Sequence, residues 1–538
     1  MYSPTTFFTI TLIVAANLIA ATVGFPVPCL PSFPDDLSEQ ITSNSTALYH
    51  ASIDFGNMTQ VYPAGVLRPA SDVDIAKLIS YYYQSSCPVR VSARGHGHSI
   101  HGQAQAANGV VVEMRSLHDS KNSSIFVSCR DGSHGSDCYV DVGGGQLWIE
   151  VLLATTKHGL APRTWTDYLY LTVGGTLSNA GVSGQAFRRG PQISNVLEMD
   201  VVNGKGEILT CSPNQNSDLF YGVLGGLGQF GIITRARITL EKAPEMVRWL
   251  RMGYTNFTEF SKDQEYLISL TREEDGGFDY VEGAIVMGAN GCNSNSNGNN
   301  WRLSPFKDFP QFEATEDTIF YCLEAGKYYM NSTDQNLVDE EVKRLTSELH
   351  YIPGMLGSKD VTYIDFLDRV HQGELKLRSQ GLWIVPHPWL CLFVPSSRIL
   401  EFHDVVFKGI LSRNTSGPLL SYPLNRNKWD QRMSAVVPTE EVFYSVCLLR
   451  SAVDDWEFYE EQNRQILRAC DERKIEVKMY LPHYTEEREW KRHYGEERWA
   501  ILLERKAKYD PRGILATGQK IFPFPLPSSI FQNSTVLN

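Results

Sequence analysis

A run of strand-forming residues from Pro88 to Ala93 leads directly into Arg94-Gly95-His96-Gly97-His98-Ser99, and this junction restricts the fold more than any other feature of the chain. Glycine at 95 and 97 lets the main chain come close to whatever lies beside it, since a side chain at either position would stand in the way. The turn therefore offers backbone N–H groups and the His98 imidazole to one surface. A second stretch, Thr172 to Gly184, is built almost entirely of small residues. It exposes hydroxyls and N–H groups at short range, which suits an anionic group such as a pyrophosphate. The competing reading, a tightly packed structural loop, has to meet the chain entropy that so many glycines lose on folding.

Gly226-Leu-Gly228-Gln-Phe-Gly231 matches the dinucleotide-binding fingerprint letter for letter. Its setting is reversed. That fingerprint needs a strand before it and a helix after it. Here a helical pattern, Asp218 to Leu224, comes first and the β-branched run Ile232 to Ile238 follows. A Rossmann site is rejected, and these glycines are read as letting backbone approach a ligand or a neighbouring strand.

At 538 residues the chain is too long for one ordinary core, so two domains are expected. Ser71-Asp72 caps a helix whose apolar residues Ile75, Leu78, Ile79 and Tyr82 recur at helical spacing. Short strands are expected over Val110–Met114 and Cys138–Val142. The second leads through Gly143-Gly144-Gly145 into a helix that runs to His158 and stops at Gly159 and Pro162. Asn203-Gly204, between Val196–Val202 and Glu207–Cys211, signals a hairpin. After Ala243-Pro244 the texture changes. Longer helices (Asp334–Leu349, Trp456–Glu472) mix with aromatic strands (Phe278–Met287, Trp389–Val394), and Asn290–Asn300 is a polar insert. We place one domain over residues 25–245, a second over 246–479, and a tail over 480–538 with a helix from Glu487 to Lys508. The pattern is α+β.

A net charge of −12 argues against a nucleic-acid binder, which needs basic stripes to replace phosphate counterions. Phe7 to Gly24 is apolar and uncharged, and no lysine or arginine appears before Arg68. Residues 1–24 read as a signal peptide that lacks the usual positive start; a signal anchor or a buried helix is the alternative. The proline-rich run Pro26–Pro34 suits a mature N-terminus. Seven N-x-S/T sequons, at Asn44, Asn57, Asn122, Asn256, Asn331, Asn414 and Asn533, suit a secreted, N-glycosylated protein with no stable membrane association once the leader is gone. Ten cysteines are too sparse for a disulfide scaffold. Cys129 and Cys138 bracket a turn-like hexapeptide, so a local bridge is expected there.

Two residues could do chemistry. A neutral imidazole at His98 can attack the 8α-methyl of an isoalloxazine ring and tether it permanently; the plain alternative is a histidine satisfied within its turn. His96 and His101 lie close by in sequence, but with no carboxylate cluster they make a poor zinc site, and no metal is expected. Asp167 sits in Trp165-Thr166-Asp167-Tyr168, with Tyr170 beyond. It is either a solvent-facing turn residue or a desolvated acid–base group.

Ala93-Arg-Gly-His-Gly-His98-Ser99 with Gly102-Gln103-Ala104, and Trp165-Thr-Asp-Tyr-Leu-Tyr-Leu-Thr-Val-Gly-Gly-Thr-Leu-Ser-Asn-Ala-Gly181, resemble the plant cytokinin dehydrogenases. So do Gly190-Pro-Gln-Ile-Ser-Asn-Val-Leu-Glu-Met-Asp200, Gly225–Ile232, Tyr480-Leu-Pro-His-Tyr484 and Gly518-Gln519-Lys-Ile-Phe522. The resemblance implies a two-domain FAD-binding fold of the PCMH or vanillyl-alcohol-oxidase (VAO) type. In it the FAD domain comes from both chain ends, and an α+β substrate domain is inserted between them. It implies that His98 is the covalent flavin ligand. Ala93, Gly95, His96, Gly97, Ser99, Gln103, Asp167, Thr172, Ser178, Val182, Ile232, Tyr480 and Gln519 then line FAD. Asp167 meets the amine of the substrate, Glu282 stands at the cavity entrance, and Leu481 lies near the adenine. The chain departs from the family at Cys391, where many members have Asn after His-Pro-Trp-Leu; a thiol cannot replace an amide's donor and acceptor, so any substrate contact made there is altered.

The reaction implied is oxidative cleavage of cytokinins such as isopentenyladenine and zeatin to adenine and an unsaturated aldehyde. Asp167 takes the proton of the exocyclic amine as the adjacent CH₂ gives hydride to flavin N5. Electrons then pass to a quinone-type acceptor or, more slowly, to oxygen. The secretory route leaves apoplast and vacuole both open. Two other readings stand beside this one. A related secreted flavin oxidase acting on a sugar or alcohol would share the FAD loops. A non-catalytic hormone-binding glycoprotein would keep a pocket but need neither flavin nor Asp167.

Overall fold

In the computed structural model, residues 32–119, 125–129, 137–270, 276–287, 319–411 and 417–526 are described. The expected leader, the Asn290–Asn300 insert, the hexapeptide between Cys129 and Cys138, and the sequons at Asn122, Asn414 and Asn533 lie outside them. Three sheets organise the rest.

The first sheet is formed by β1 (Ile41–Thr42), β2 (Gly65–Leu67), β3 (Val91–Arg94) and β4 (Val110–Glu113), in the order β1-β2-β4-β3. β2, β4 and β3 run parallel, and a parallel sheet needs cover. The helix Asp72–Gln84 supplies it, burying Ile75, Leu78, Ile79 and Tyr82. It starts where the sequence predicts because the Asp74 carboxylate accepts the N–H groups of Ala70 (2.9 Å) and Ser71 (3.0 Å). The other chain end joins the same core. Val91 N–H donates to the Ile514 carbonyl at 2.8 Å, and Ile514 and Leu515 are buried among these residues.

The second sheet contains β5 (Phe126–Cys129), β6 (Cys138–Gly143), β7 (Leu160–Pro162), β8 (Val196–Val202), β9 (Ile208–Cys211) and β10 (Ile232–Lys242). Their order is β5-β6-β10-β8-β9, with β7 also on β10. Cys129 faces Cys138 across β5 and β6, and the two are bonded. The fingerprint-like glycines lie between the helix Ser217–Val223 and β10, the reversed order read from the sequence. β8 and β9 pair antiparallel, joined by the turn of the hairpin that Asn203-Gly204 signals. The turn spans 203–207, with the Asn203 side chain accepting from the N–H groups of Lys205 (2.9 Å) and Glu207 (3.0 Å), and Gly206 is the left-handed residue.

The third sheet is antiparallel. Its strands are β11 (Met246–Tyr254), β12 (Tyr280–Met287), β13 (Ile319–Tyr329), β14 (Leu356–Thr362), β15 (Leu390–Pro395), β16 (Leu419–Asn425), β17 (Val442–Leu448) and β18 (Lys478–Met479). Their order is β14-β11-β13-β12-β16-β17-β15-β18. The tail then forms two helices, Glu487–Tyr494 and Glu496–Tyr509, where one was expected; Gly495, at φ 79°, breaks the run. The second ends on a fully buried ion pair, Lys506–Asp510 at 2.7 Å. Asp510 also accepts the N–H groups of Ile514 (2.8 Å) and Leu515 (2.9 Å), which turns the chain back onto the first sheet. Among the described residues no helix is long and apolar enough to cross a membrane.

Candidate active site

A cavity of about 390 Å³ lies between the glycine-rich loops of the first two sheets and the middle of the third. The loop after β3 brings Ala93, Gly95, His96, Gly97, His98, Ser99 and Gln103 to its wall. Asp167, Thr172, Ser178 and Val182 follow from the small-residue segment, and Ile232 from the start of β10. The tail adds Tyr480, Leu481 and Gln519, and β15 adds Cys391. Residues far apart in sequence are thus gathered on one surface. Sequence reasoning missed the apolar floor, which includes Trp389, Leu420, Tyr422 and Leu449. Its one signal was the alternation of aromatic and aliphatic residues along the strands of the third sheet.

His98 is held between two rings, stacked on Phe55 at 3.7 Å between centroids and on Tyr168 at 4.9 Å. Desolvation holds its pKa well below the ordinary histidine value, so the imidazole is unprotonated at neutral pH and keeps a nucleophilic lone pair. Asp167 is presented by a clamped segment. Trp165 Nε1 donates to the Tyr363 hydroxyl (2.8 Å), Ser183 Oγ donates to the Trp165 carbonyl (2.8 Å), and the Tyr168 hydroxyl donates to Glu374 Oε2 (2.6 Å).

Behind Asp167 lies a buried charge network. Register across three strands places Arg251, Glu324 and Glu282 side by side on β11, β13 and β12. Arg369, at the start of the helix Arg369–Ser379, reaches in above them. Its guanidinium lies 3.4 Å from Asp167 Oδ1, 3.3 Å from Glu324 Oε1 and 3.8 Å from Glu282 Oε2. The Tyr280 hydroxyl sits at the centre, 3.3 Å from Asp167 Oδ1, and also donates to Glu282 Oε2 while accepting from Arg369. Desolvation pushes the Tyr280 pKa far above its ordinary value, so the phenol stays a donor. Nothing local in the sequence marked Arg369 or Tyr280, which come from elements of the third sheet region more than 100 positions from Asp167.

Two expectations need correction. Glu282 is not at a cavity entrance: its side chain is fully buried and bonded to Tyr280, because its place on β12 points it inward beside Glu324. Cys391 is not a thiol. It faces Cys447 directly across β15 and β17, and the two form a disulfide that lines the cavity.

The wall offers unpaired hydrogen-bonding groups to a ligand. Ser92 Oγ and Gln519 Oε1 are buried there without a hydrogen-bond partner, a costly state that a ligand relieves. A Cβ at Gly95 would lie 2.1 Å from Thr172 Oγ1, so only glycine lets these two loops meet. At Gly228, with φ 72°, a Cβ would meet no protein atom within 4 Å and would stand in the space the cavity leaves open.

Comparison with known proteins identifies this architecture. A model described as "FAD binding domain" matches residues 63–212, and one described as "Cytokinin dehydrogenase 1, FAD and cytokinin binding" matches 244–522. The fold is shared with a VAO-type flavoprotein from Myceliophthora thermophila (TM-score 0.61, 16% identity, 85% of this chain and 79% of that one). It is shared also with 6-hydroxy-D-nicotine oxidase from Arthrobacter nicotinovorans (TM-score 0.62, 17% identity, 88% and 96%). Fold and site define an FAD-binding protein with the fold of VAO-type flavoproteins. Among curated relatives, cytokinin dehydrogenase 5 of Arabidopsis thaliana is 52% identical over 91% of this chain and 90% of its own length. Cytokinin dehydrogenase 5 of Oryza sativa subsp. japonica is 51% identical over 94% and 96%. The chain belongs to the cytokinin dehydrogenase family.

Proposed function

We propose that this chain cleaves the N6-isoprenoid side chain of cytokinins such as isopentenyladenine and zeatin, with FAD tethered to His98 and Asp167 acting as the base. The carrying observation is that Asp167, 20% exposed, is the one member of the buried charge network that lines the cavity, on the same wall as His98. FAD, when bound, would supply the acceptor for the hydride of the side-chain CH₂, with a quinone-type compound or oxygen as the final electron acceptor. Asp167 takes the proton of the exocyclic amine. The Tyr280 hydroxyl joins it to Glu282, and the Arg369 guanidinium balances the carboxylates around it. Loss of hydride and proton leaves an imine in the substrate, which water hydrolyses to adenine and an unsaturated aldehyde. The apolar floor suits a planar base with an isoprenoid tail better than a sugar.

Flavin would be held by the loop after β3, the small-residue segment, Ile232, Tyr480 and Gln519, all of which line the cavity. A neutral His98 favours the tether, because a protonated ring has no lone pair to offer. Secretion to the apoplast or vacuole, without stable membrane association, rests on the leader-like residues 1–24 and the sequons. Asn44, Asn57, Asn256 and Asn331 are all exposed, as glycan attachment requires. The test is incubation of purified protein with isopentenyladenine and a quinone. Release of adenine is expected, and its absence overturns the reading. Acid-precipitated protein should stay yellow; a colourless pellet removes the tether alone.

A further inference from the structure

Phe55 lies in the irregular segment between the helix Ser45–Ser52 and β2. Hydrogen bonds fasten that segment to the loop that carries His98. Phe55 N–H donates to the Ser99 carbonyl at 2.9 Å. The Asp54 carboxylate beside it accepts the Gly102 N–H at 2.9 Å and the Met58 N–H at 3.1 Å. On the other side, the Gly56 carbonyl accepts the His387 N–H at 3.2 Å. Phe55 is therefore fixed relative to both histidines.

Its ring stacks on both of them. The His98 centroid is 3.7 Å away with planes 24° apart, and the His387 centroid 4.4 Å away with planes 18° apart. Trp383 and Trp389 meet it at steeper angles, each at 5.4 Å between centroids. His387 is itself anchored, its ring nitrogens lying 3.2 Å from the Arg450 carbonyl and 3.1 Å from the Trp383 carbonyl. The Phe55 ring has no room to turn.

His98 lacks an anchor of that kind. Among the described residues its ring nitrogens make no hydrogen bond. The torsion that rotates an imidazole on its Cβ is soft, so the rings of Phe55 and Tyr168 set its angle. That angle decides whether the ring can react. The lone pair of a neutral imidazole lies in the ring plane, and it meets a carbon only when the plane is turned toward it.

We propose that Phe55 is a positioning residue for flavin attachment: its ring fixes the plane of the His98 imidazole and so aims the nitrogen that bonds to the flavin methyl carbon. This rests on the reading of His98 as the flavin ligand. In the attachment a His98 nitrogen joins the methyl carbon. One methyl C–H bond and the imidazole N–H are given up, and the two protons and two electrons go to oxygen as hydrogen peroxide. Phe55 exchanges nothing in this step and acts only through His98.

The test compares full-length unaltered protein, Phe55→Leu and Phe55→Tyr as purified. Visible absorbance gives the total bound flavin, and redissolved acid precipitates give the share that is tethered. Leucine keeps an apolar side chain at the site without a flat face, whereas tyrosine keeps the ring. In Phe55→Leu we expect flavin still bound but its acid-stable share lowered at least about tenfold, the scale of loss that misorientation brings. In Phe55→Tyr the share should match that of the unaltered protein. An undiminished share in Phe55→Leu overturns the proposal. So does a loss of total and tethered flavin in step, which marks a structural role, and so does a share in Phe55→Tyr as low as in Phe55→Leu. Unaltered protein without acid-stable flavin removes the tether itself, an outcome read before any variant is compared.

Discussion

Asp167 shows how much of a reactive group is made by its neighbours. The carboxylate is supplied by a short clamped loop, but its charge environment comes from Arg369, Tyr280, Glu282 and Glu324. Asp167→Asn keeps the shape and removes the base. It should retain bound flavin and lower kcat by about 10²–10⁴-fold, as expected for losing general-base help. Tyr280→Phe removes the hydroxyl between Asp167 and Glu282. It should lower kcat while leaving flavin content unchanged, measured by steady-state turnover and visible absorbance. At this scale the sequence was readable where chemistry is local: His98 announces itself in its glycine turn, and Asp167 among its aromatic neighbours. It was silent where a partner arrives from another element. Phe55, Tyr280 and Arg369 carry no local mark, since aromatic and basic residues are ordinary in strands and at helix starts.

Among the elements, the strands of the third sheet do most to shape the substrate side of the cavity. Cys391 and Cys447 join β15 to β17 there, 56 positions apart. By chain-entropy reasoning, closing a loop of that length stabilises the fold by up to about 4 kcal/mol. Cys391→Ser/Cys447→Ser should therefore lower the midpoint of denaturant unfolding markedly, while flavin absorbance at low denaturant persists; an unchanged midpoint counts against a stabilising bridge. The helices with strong periodicity and caps were legible: Asp72–Gln84 and Trp456–Glu472 lie where their apolar spacing puts them. The tail helix was read as continuous because Gly495 alone, inside a charged run, gave little sign that the backbone turns left-handed there. The hairpin at Asn203-Gly204 was legible as well, since β8 and β9 pair antiparallel on either side of it. The Asn203 side chain closes that turn by accepting from two backbone N–H groups.

As a whole, the molecule depends on its two ends meeting. The Ile514 carbonyl pairs with β3, and Lys506–Asp510 locks the approach. The interleaving was not derivable from periodicity, which is blind to contacts between the first and last fifths of a chain; only the family resemblance implied it. The same burial sets the response to acid. Desolvation lowers the pKa of His403 to about 4 and of His493 to about 3. The unfolded chain protonates these rings near pH 6.5, the folded chain only far below. Their contribution is thus complete above pH 6.5 and is lost as pH falls from there toward 4 and 3. Each then costs up to about 1.4 kcal/mol per pH unit. The thermal midpoint should decline steadily over that window, and a flat profile would show that these rings are not desolvated in solution.

The central claim is that a carboxylate and a flavin meet one amine substrate in this cavity. Anaerobic stopped-flow mixing of the purified protein with isopentenyladenine tests it most directly. The visible flavin band should bleach within the first turnover and bleach far more slowly in Asp167→Asn. A band that stays unbleached in the unaltered protein, at saturating substrate, would contradict the account.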